Sequence, residues 1–450
     1  NKNGRFYAPR AKKGMGKSAL LSKFAWDRQE ESEPIVIKLI GSQVIDEKIP
    51  AFSSFLEAQA YWIRNLCSQI NSNIGATIGF AFSDTAMSLV EAAEVSGLRE
   101  RSLLSGLLSR IKVKSIPIEI TTSKSPNPAA LLERALADME DRSIWLIVDD
   151  IDASFKNDDH HRLVVSSFYS ALRYIAYNMK GVVIRASVRS DVWSYIRDVE
   201  DLDKCEQYMI DISWTRSELQ VILAKKIWAW VARNYPDSAE SKWEYDKRSS
   251  NLIELVFSHR LRWGGSAVPP FQPINILSAG RPRWMSQLCR LAAARADMRN
   301  YSRIQSSDII YVMPDFTRYR FNDLYKEHGH QFKYLERLIS IFSDAPVRYA
   351  TDDLLSKINK EFVGPVGSGN IPEINEEKYS APTQIASLLF QIGFIVARYG
   401  ESSEASEVEF RTFTDEPDLL RFGRPVNKDI IWEIYPSYRQ RKRTYRKRAL

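Results

Sequence analysis

The sequence predicts an α/β protein with a doubly wound parallel sheet, and three stretches predict it. Arg10 to Leu21, RAKKGMGKSALL, sets a glycine-rich segment between a short apolar run and a helix-forming run. Ile144 to Asp150, IWLIVDD, is five apolar residues and then two acids, the mark of a buried strand that delivers carboxylates at its C-terminal edge. Gly181 to Asp191, GVVIRASVRSD, is a further apolar strand ending in polar residues, and its place after the acidic strand puts it alongside in the sheet.

The first stretch carries GMGKS, the second half of the phosphate-loop pattern G-x-x-x-x-G-K-[ST]. Backbone N–H groups must curl around a phosphate there, so Gly14 and Gly16 stand where a side chain would block the approach, and Ala19 adds its amide at the start of the helix. Lys17 would reach the β- and γ-phosphates and the Ser18 hydroxyl would ligate Mg²⁺, with the positive end of the helix facing the phosphates. The first glycine of the full pattern falls at position 11, which is Ala11. Gly14 is then the source of the flexibility lost there. In the second stretch Asp149 would hold the metal shell and Asp150 would activate water, with Asp152 assisting; the bland reading is a helix cap after a core strand. In the third, Ser187 and Arg189 either sense the γ-phosphate or end a surface strand with Asp191 capping the next helix.

Taken in order, Phe6 to Ala8 ends a strand and the β-branched run Ile35 to Ile40 is another. Residues 50–126 are a large insertion into the core, helical in FLEAQAYWIRNLCSQI and LRERSLLSGLLSRI. Helices follow over 127–139 and 161–179. From Ser213 the pattern turns helical, with Ser217 and Glu218 opening SELQVILAKKIWAWVARN. Gly280-Arg281-Pro282-Arg283-Trp284 opens a later helix, where two arginines work against the helix dipole unless an anion is near; solvated arginines at a cap are the alternative.

These residues together, GMGKS, LIVDDID, ASVRSD and GRPRW, resemble the STAND and AAA+-like P-loop ATPases of bacterial defence and mobile-element loci, FunZ-like ATPases above all, over about residues 1–320. The resemblance implies Walker A roles for Lys17 and Ser18, Walker B roles for Asp149 and Asp150, a sensor role for Arg189, and a lid role for Arg283 or Arg281. ATP and Mg²⁺ are the implied cofactors, and an effector such as a nuclease is the implied partner. Ala11 and the insertion depart from the pattern. There is no N-K-x-D motif to read guanine and no LSGGQ-type signature.

Past residue 331, two helices, YLERLISIFSDA and TDDLLSKINKEF, and a third, TQIASLLFQI, precede strands near 394–397, 408–411 and 431–434. That order predicts a winged-helix-like domain. Its third helix, 382–393, has no Lys or Arg to read a DNA groove, so a protein-interaction or lid-stabilising role is favoured. The domains read as an ATPase core over 1–212, a helical lid over 213–330, a winged-helix-like domain over 331–437 and a basic tail over 438–450.

Composition bounds the rest. A chain of 450 residues exceeds one core, and 44% apolar with 26% charged residues is ordinary for soluble proteins. No run spans a bilayer, the nearest being LLFQIGFIVA at 388–397. Cys67, Cys205 and Cys289 form no C-x-x-C pair, which fits a reduced cytoplasm, and His160-His161 and His328/His330 lack further ligands at metal spacing. The chain opens at Asn1 and reads as a fragment. Of its net charge of +7, all resides in the last thirteen residues, where Arg439, Arg441, Lys442, Arg443, Arg446, Lys447 and Arg448 stand without an acid. Nonspecific nucleic-acid contact or a solvated basic face are the two readings of that tail. The expected function is a Mg-dependent ATPase switch, a homo-oligomer controlling an effector. The rival is a nucleotide-independent nucleic-acid or protein-binding scaffold with a degraded loop.

Overall fold

A computed structural model describes residues 4–30, 35–44, 49–78, 83–99, 127–139, 143–153, 155–156, 158–197, 199, 202–329, 332–366, 373–374, 377–399, 409–413, 415–420, 427 and 429–439. The chain divides into two compact units, Asn1–Ile212 and Ser213–Leu450.

The first unit is built on parallel strands: β1 (Phe6–Ala11), β2 (Ile35–Ile40), β3 (Ile144–Asp149), β4 (Val182–Ala186), β5 (Val188–Arg189) and β6 (Met209–Asp211). β4 and β5 are one strand interrupted at Ser187, because both lie against β1 at a single constant offset: Phe6 opposite Ile184, Tyr7 opposite Arg185, Arg10 opposite Val188 and Ala11 opposite Arg189. The order across the sheet is therefore β2, β3, β4/β5, β1, β6. The strand that ends in polar residues sits between the phosphate-loop strand and the acidic strand. β1 runs on to Ala11, three residues beyond the end expected from the sequence.

The two faces are covered from opposite sides, as the alternation along β3 requires. Ile144, Leu146 and Val148 join Ile37, Leu39, Val182, Ile184 and Ala186 in the main core. That core is closed by α3 (Phe55–Thr77), α5 (Pro128–Ala137) and α6 (Asp159–Asn178), while α2 (Gly41–Val44) follows β2 and α4 (Asp84–Val95) packs on α3. On the other face α1 (Lys17–Gln29) sets Leu21 and Ala25 on Ile147. Beside them Arg185 and Arg28 stack on Trp145 and Phe24, with guanidinium carbons 5.1–5.4 Å from the ring centroids, and burial draws the Arg185 pKa down to about 10. The unit ends with α7 (Ser190–Ile196) and α8 (Asp203–Glu206). Most of LRERSLLSGLLSRI lies outside the described residues.

The second unit opens with α9 (Arg216–Asn234), whose Thr215 cap accepts from the Glu218 N–H while Glu218 accepts from the Thr215 N–H. α10 (Ser249–Val256) leads into a two-stranded hairpin, β7 (Leu261–Trp263) and β8 (Ser266–Val268), turned by Gly264 and Gly265 at φ of 59° and 93°. Then come α11 (Phe271–Ser278), α12 (Pro282–Asp297) and the long α13 (Ser306–His328).

Helix α14 (Leu335–Ser340), strand β9 (Arg348–Ala350), helices α15 (Thr351–Ile358) and α16 (Pro382–Gln391), and strands β10 (Ile395–Tyr399), β11 (Glu409–Arg411) and β12 (Ile431–Ile434) have the element order of a winged helix. All three strands expected near 394–397, 408–411 and 431–434 form. The sheet runs β11, β10, β12, β9, all antiparallel, so β12 lies between β10 and β9. One hydrophobic core extends from Leu219 to Tyr438. Tyr435 OH donates to the Ile276 carbonyl at 2.7 Å and Ser437 Oγ to the Leu277 carbonyl at 2.6 Å, fastening the last strand's exit to α11. α16 contributes Ile385, Ala386, Leu388, Leu389 and Phe390 to the core, and only Gln391 is fully exposed. Thr383, Ser387 and Gln391 share its partly exposed face, and none of them is basic.

The α3–α4 crossing rests on Gly75, where an added Cβ would stand 1.9 Å from the backbone oxygen of Leu89. Gly→Ala in an unconstrained helix stabilises by about 1 kcal/mol. Gly75→Ala instead destabilises the first unit by about 1–3 kcal/mol through overpacking, read as a lowered urea midpoint.

Candidate functional site

The loop after β1 takes the shape its glycines permit. Gly14 and Gly16 have φ of 82° and 100°, and Gly16 precedes the first turn of α1. Ala11 pairs with Arg189 inside the sheet and is not among the residues of positive φ, so the missing glycine costs the backbone nothing. Lys17 is buried, and its ammonium donates to the Ala11 carbonyl at 2.9 Å and the Lys12 carbonyl at 3.5 Å, clasping both ends of the loop. Burial draws its pKa below the ordinary lysine value, opposed chiefly by Asp152. Ser18 and Ala19 are exposed at the helix start. Arg10, just before the loop, is held by Asp211 at 2.7 Å and Glu206 at 2.6 Å; Asp211 above all raises its pKa. This anchor, which ties the loop strand to β6, had no sequence signal.

The carboxylates arrive from β3. Ser187 Oγ donates to Asp149 Oδ1, the Ser187 N–H donates to the Val148 carbonyl at 2.9 Å, and Tyr169 OH donates to the Ser187 carbonyl at 2.5 Å. Asp150 is exposed at φ 57°, in the left-handed region, and its carbonyl accepts from the Ala153 N–H at 3.2 Å. The turn leaves room only for glycine at position 41, since a Cβ there would stand 2.0 Å from the Asp150 oxygen. Asp152 is wholly buried. Its Oδ2 accepts the Arg189 N–H, and its Oδ1 has no hydrogen-bond partner. The Arg189 guanidinium pairs with Asp191, Nε at 3.2 Å from Oδ1 and Nη2 on Oδ2. Asp191 lies in the first turn of α7 and is not its cap.

Lys17, Asp149, Asp152, Ser187, Arg189 and Asp191 thus gather at the carboxyl edge of three adjacent strands, Lys17 feeling Asp152, Arg189, Asp191 and Asp149 electrostatically. Two left-handed glycines, a lysine clasped to the loop and an exposed Ser18 in the first turn of α1 suit a nucleotide phosphate, and the hydroxyl of Ser18 and the carboxylate of Asp149 are donors of the kind that suit Mg²⁺. Among the described residues no three His, Cys, Asp or Glu form a metal cage, so a divalent ion here would depend on phosphate oxygens as well.

Arg281 and Arg283 belong to the second unit. Arg281 is buried, Nη1 on Glu327 at 3.0 and 3.2 Å. Its guanidinium and that of Arg320 lie 4.1 and 4.2 Å from the Trp284 ring centroid. Arg283, in the first turn of α12, is exposed. Arg439, read above with the tail, is a structural residue: Nε donates to the Ile434 carbonyl at 3.0 Å and Nη2 pairs with buried Glu433. Arg441 to Arg448 lie outside the described residues.

The sheet order and the loop define the first unit as a P-loop NTPase core. No protein-family model matches the sequence, and no curated protein does. Among solved structures the chain is similar to the Orc2 protein of Aeropyrum pernix in its ADPNP–ADP complexes, at 12% identity over 90% of this chain and 82% of that one, TM-score 0.39. It is similar also to Cdc6p from Pyrobaculum aerophilum, at 12% identity over 91% and 84%, TM-score 0.35.

Burial raises the Asp152 pKa from the usual 3.8 to about 6, so the fold favours the neutral acid. Stability from this group is full below pH 4 and is lost as pH rises through about 6. Asp152→Asn keeps an acceptor for the Arg189 N–H and cannot ionise. Its stability relative to the parent therefore grows by up to about 3 kcal/mol between pH 4 and 7, then stays level, in denaturant titrations without nucleotide.

Proposed function

We propose that the first unit binds ATP with Mg²⁺ and hydrolyses it, acting as a switch. The observation that supports this most is the convergence of a clasped Lys17, the Asp149–Ser187 pair and Asp150 at one sheet edge. In this reading the loop amides of Gly14, Gly16 and Ala19 and the Lys17 ammonium hold the phosphates. Ser18 and Asp149 hold the metal, whose contribution is to neutralise charge on the phosphates. Asp150 accepts a proton from the attacking water; its left-handed backbone is the strain that an exposed carboxylate at a strand end carries for a role. Ser187 orients Asp149, and Arg189 must part from Asp191 to meet the γ-phosphate. Of the two lid arginines, Arg283 is the one free to serve an anion, because Arg281 is committed to Glu327.

The wider role follows from the resemblance: a cytoplasmic homo-oligomeric component of a bacterial anti-phage defence assembly that governs an effector such as a nuclease. The scaffold reading rested on Ala11, and the ordinary backbone of that residue removes its main support.

The test is ATP binding and turnover. Lys17→Ala weakens binding by about 10–100-fold, the worth of a charge-assisted contact. Asp150→Asn binds ATP but turns over about 10²–10⁴-fold more slowly. Equal silence of the parent protein and Lys17→Ala toward ATP would hand the case to the scaffold.

A further inference from the structure

The second unit carries a second basic feature, distinct in sequence from the tail. The exit of α10, just before β7, and the loop between α12 and α13 are joined by backbone bonds: Ser258 N–H to the Ile304 carbonyl at 3.0 Å, and Ile304 N–H to the Val256 carbonyl at 2.8 Å. The Arg262 N–H then donates to Ser306 Oγ at 2.7 Å, seating the hairpin on the first turn of α13. Residues 257–270 and 298–307 contain Arg260, Arg262, Arg299 and Arg303 and not one acid. Arg260, Arg262 and Arg303 are exposed and make no ion pair with any described residue. Arg299 is already matched by Asp308 at 2.8 Å. Around them stand exposed Asn300, Tyr301, Ser302 and Ser307, and Arg295 stacks on exposed Tyr311 at 3.8 Å.

Three guanidiniums without an ion pair among the described residues, Arg262 on β7, Arg260 just before it and Arg303 in the neighbouring loop, stand beside a helix start and among amide and hydroxyl donors, an arrangement that suits a row of phosphates. The structural arginines of this unit behave otherwise: buried Arg281 and half-buried Arg439 each have a carboxylate. An anionic membrane would want a broad apolar face beneath the cations. Here the exposed neighbours are Asn300, Ser302, Ser307 and the hydroxyl-bearing rings of Tyr301 and Tyr311, with Met298 and Ile310 as the aliphatic ones. We infer that the β7–β8 hairpin, the 298–305 loop and the start of α13 form a nucleic-acid-binding surface that grips the backbone through Arg260, Arg262 and Arg303. The surface works without the tail and without the nucleotide site.

The experiment uses the full chain, without nucleotide, and a fluorescein-labelled 30-nucleotide DNA, single-stranded and as duplex, read by anisotropy from 50 to 300 mM NaCl. A chain ending at Gln440 removes the tail's six other cations. That shortened chain binds DNA, and adding Arg260→Ala, Arg262→Ala and Arg303→Ala weakens binding at least about tenfold at 100 mM salt. The triple variant also flattens the slope of log K against log salt by about 2–3, the loss of three phosphate contacts. Its thermal melting is unchanged, since all three side chains are exposed. The inference is overturned if the chain ending at Gln440 binds no DNA, if the triple variant keeps affinity and slope, or if the protein binds phosphatidylserine vesicles but not DNA.

Discussion

The candidate site depends on one interruption in one strand. Ser187 breaks β4 from β5 while keeping both in register with β1, and it spends all three of its polar groups on its neighbours: N–H on Val148, hydroxyl on Asp149, carbonyl on Tyr169. Because β4/β5 lies between β1 and β3, this residue spans the gap between the lysine loop and the acidic strand. Two residues on, the Arg189 N–H reaches Asp152, so the turn after β3 is fixed from the same strand. Parallel strands need long crossovers, and the only economical way to bring three of them to a common edge is side-by-side register. The chemistry placed there is a consequence of that register.

The second unit is organised by a different constraint, the matching of buried charge. Glu433 on β12 is almost wholly buried and takes Arg348 at 3.1 Å, Arg398 at 3.0 Å and Arg439. One carboxylate among three guanidiniums from β9, β10 and the exit of β12 fixes where β12 lies between its neighbours. Arg281 and Glu327 do the same for α12 and α13, around Trp284, and the ring of Tyr438 meets that of Trp284 edge-on at 6.3 Å. The helix-and-strand module and the helices before it thereby share one core. The apolar residues of the third helix, α16, are spent on that core.

Much of this was legible because it is periodic. Strands 35–40, 144–149 and 182–186 were evident from runs of β-branched and apolar residues, and GMGKS announces its own backbone geometry. Of the strand order only one adjacency was read, 182–186 beside 144–149, and it holds; the other neighbours are set by tertiary packing that the strand runs do not show. The β7–β8 hairpin was missed although Gly264-Gly265 between Arg262-Trp263 and Ser266-Ala267 is a turn signal; its strands are only three residues each, too short for alternation to show. β9 was missed for the same reason. Tyr169 and Glu206 became visible only once folding set them beside Ser187 and Arg10.

The arginines show where sequence reading has to stop. Arg189, Arg281 and Arg283 looked alike along the chain, each a cation at an element's end, and Arg439 read as one of the tail's cations. Folding separates them by partner. Arg281 lies buried against a buried carboxylate and the Trp284 ring, where removing the acid would leave an uncompensated charge, so it serves the structure. Arg439 shares Glu433 with two others and serves the structure too. Arg189 is intermediate: its carboxylate, Asp191, belongs to the adjacent helix turn and both side chains keep 12% exposure, so the pair can open without breaking the core. Arg283 is exposed at a helix start, where the dipole opposes a cation unless an anion joins it. An arginine's function is read from how costly its present partner would be to leave, and that quantity exists only in the folded chain.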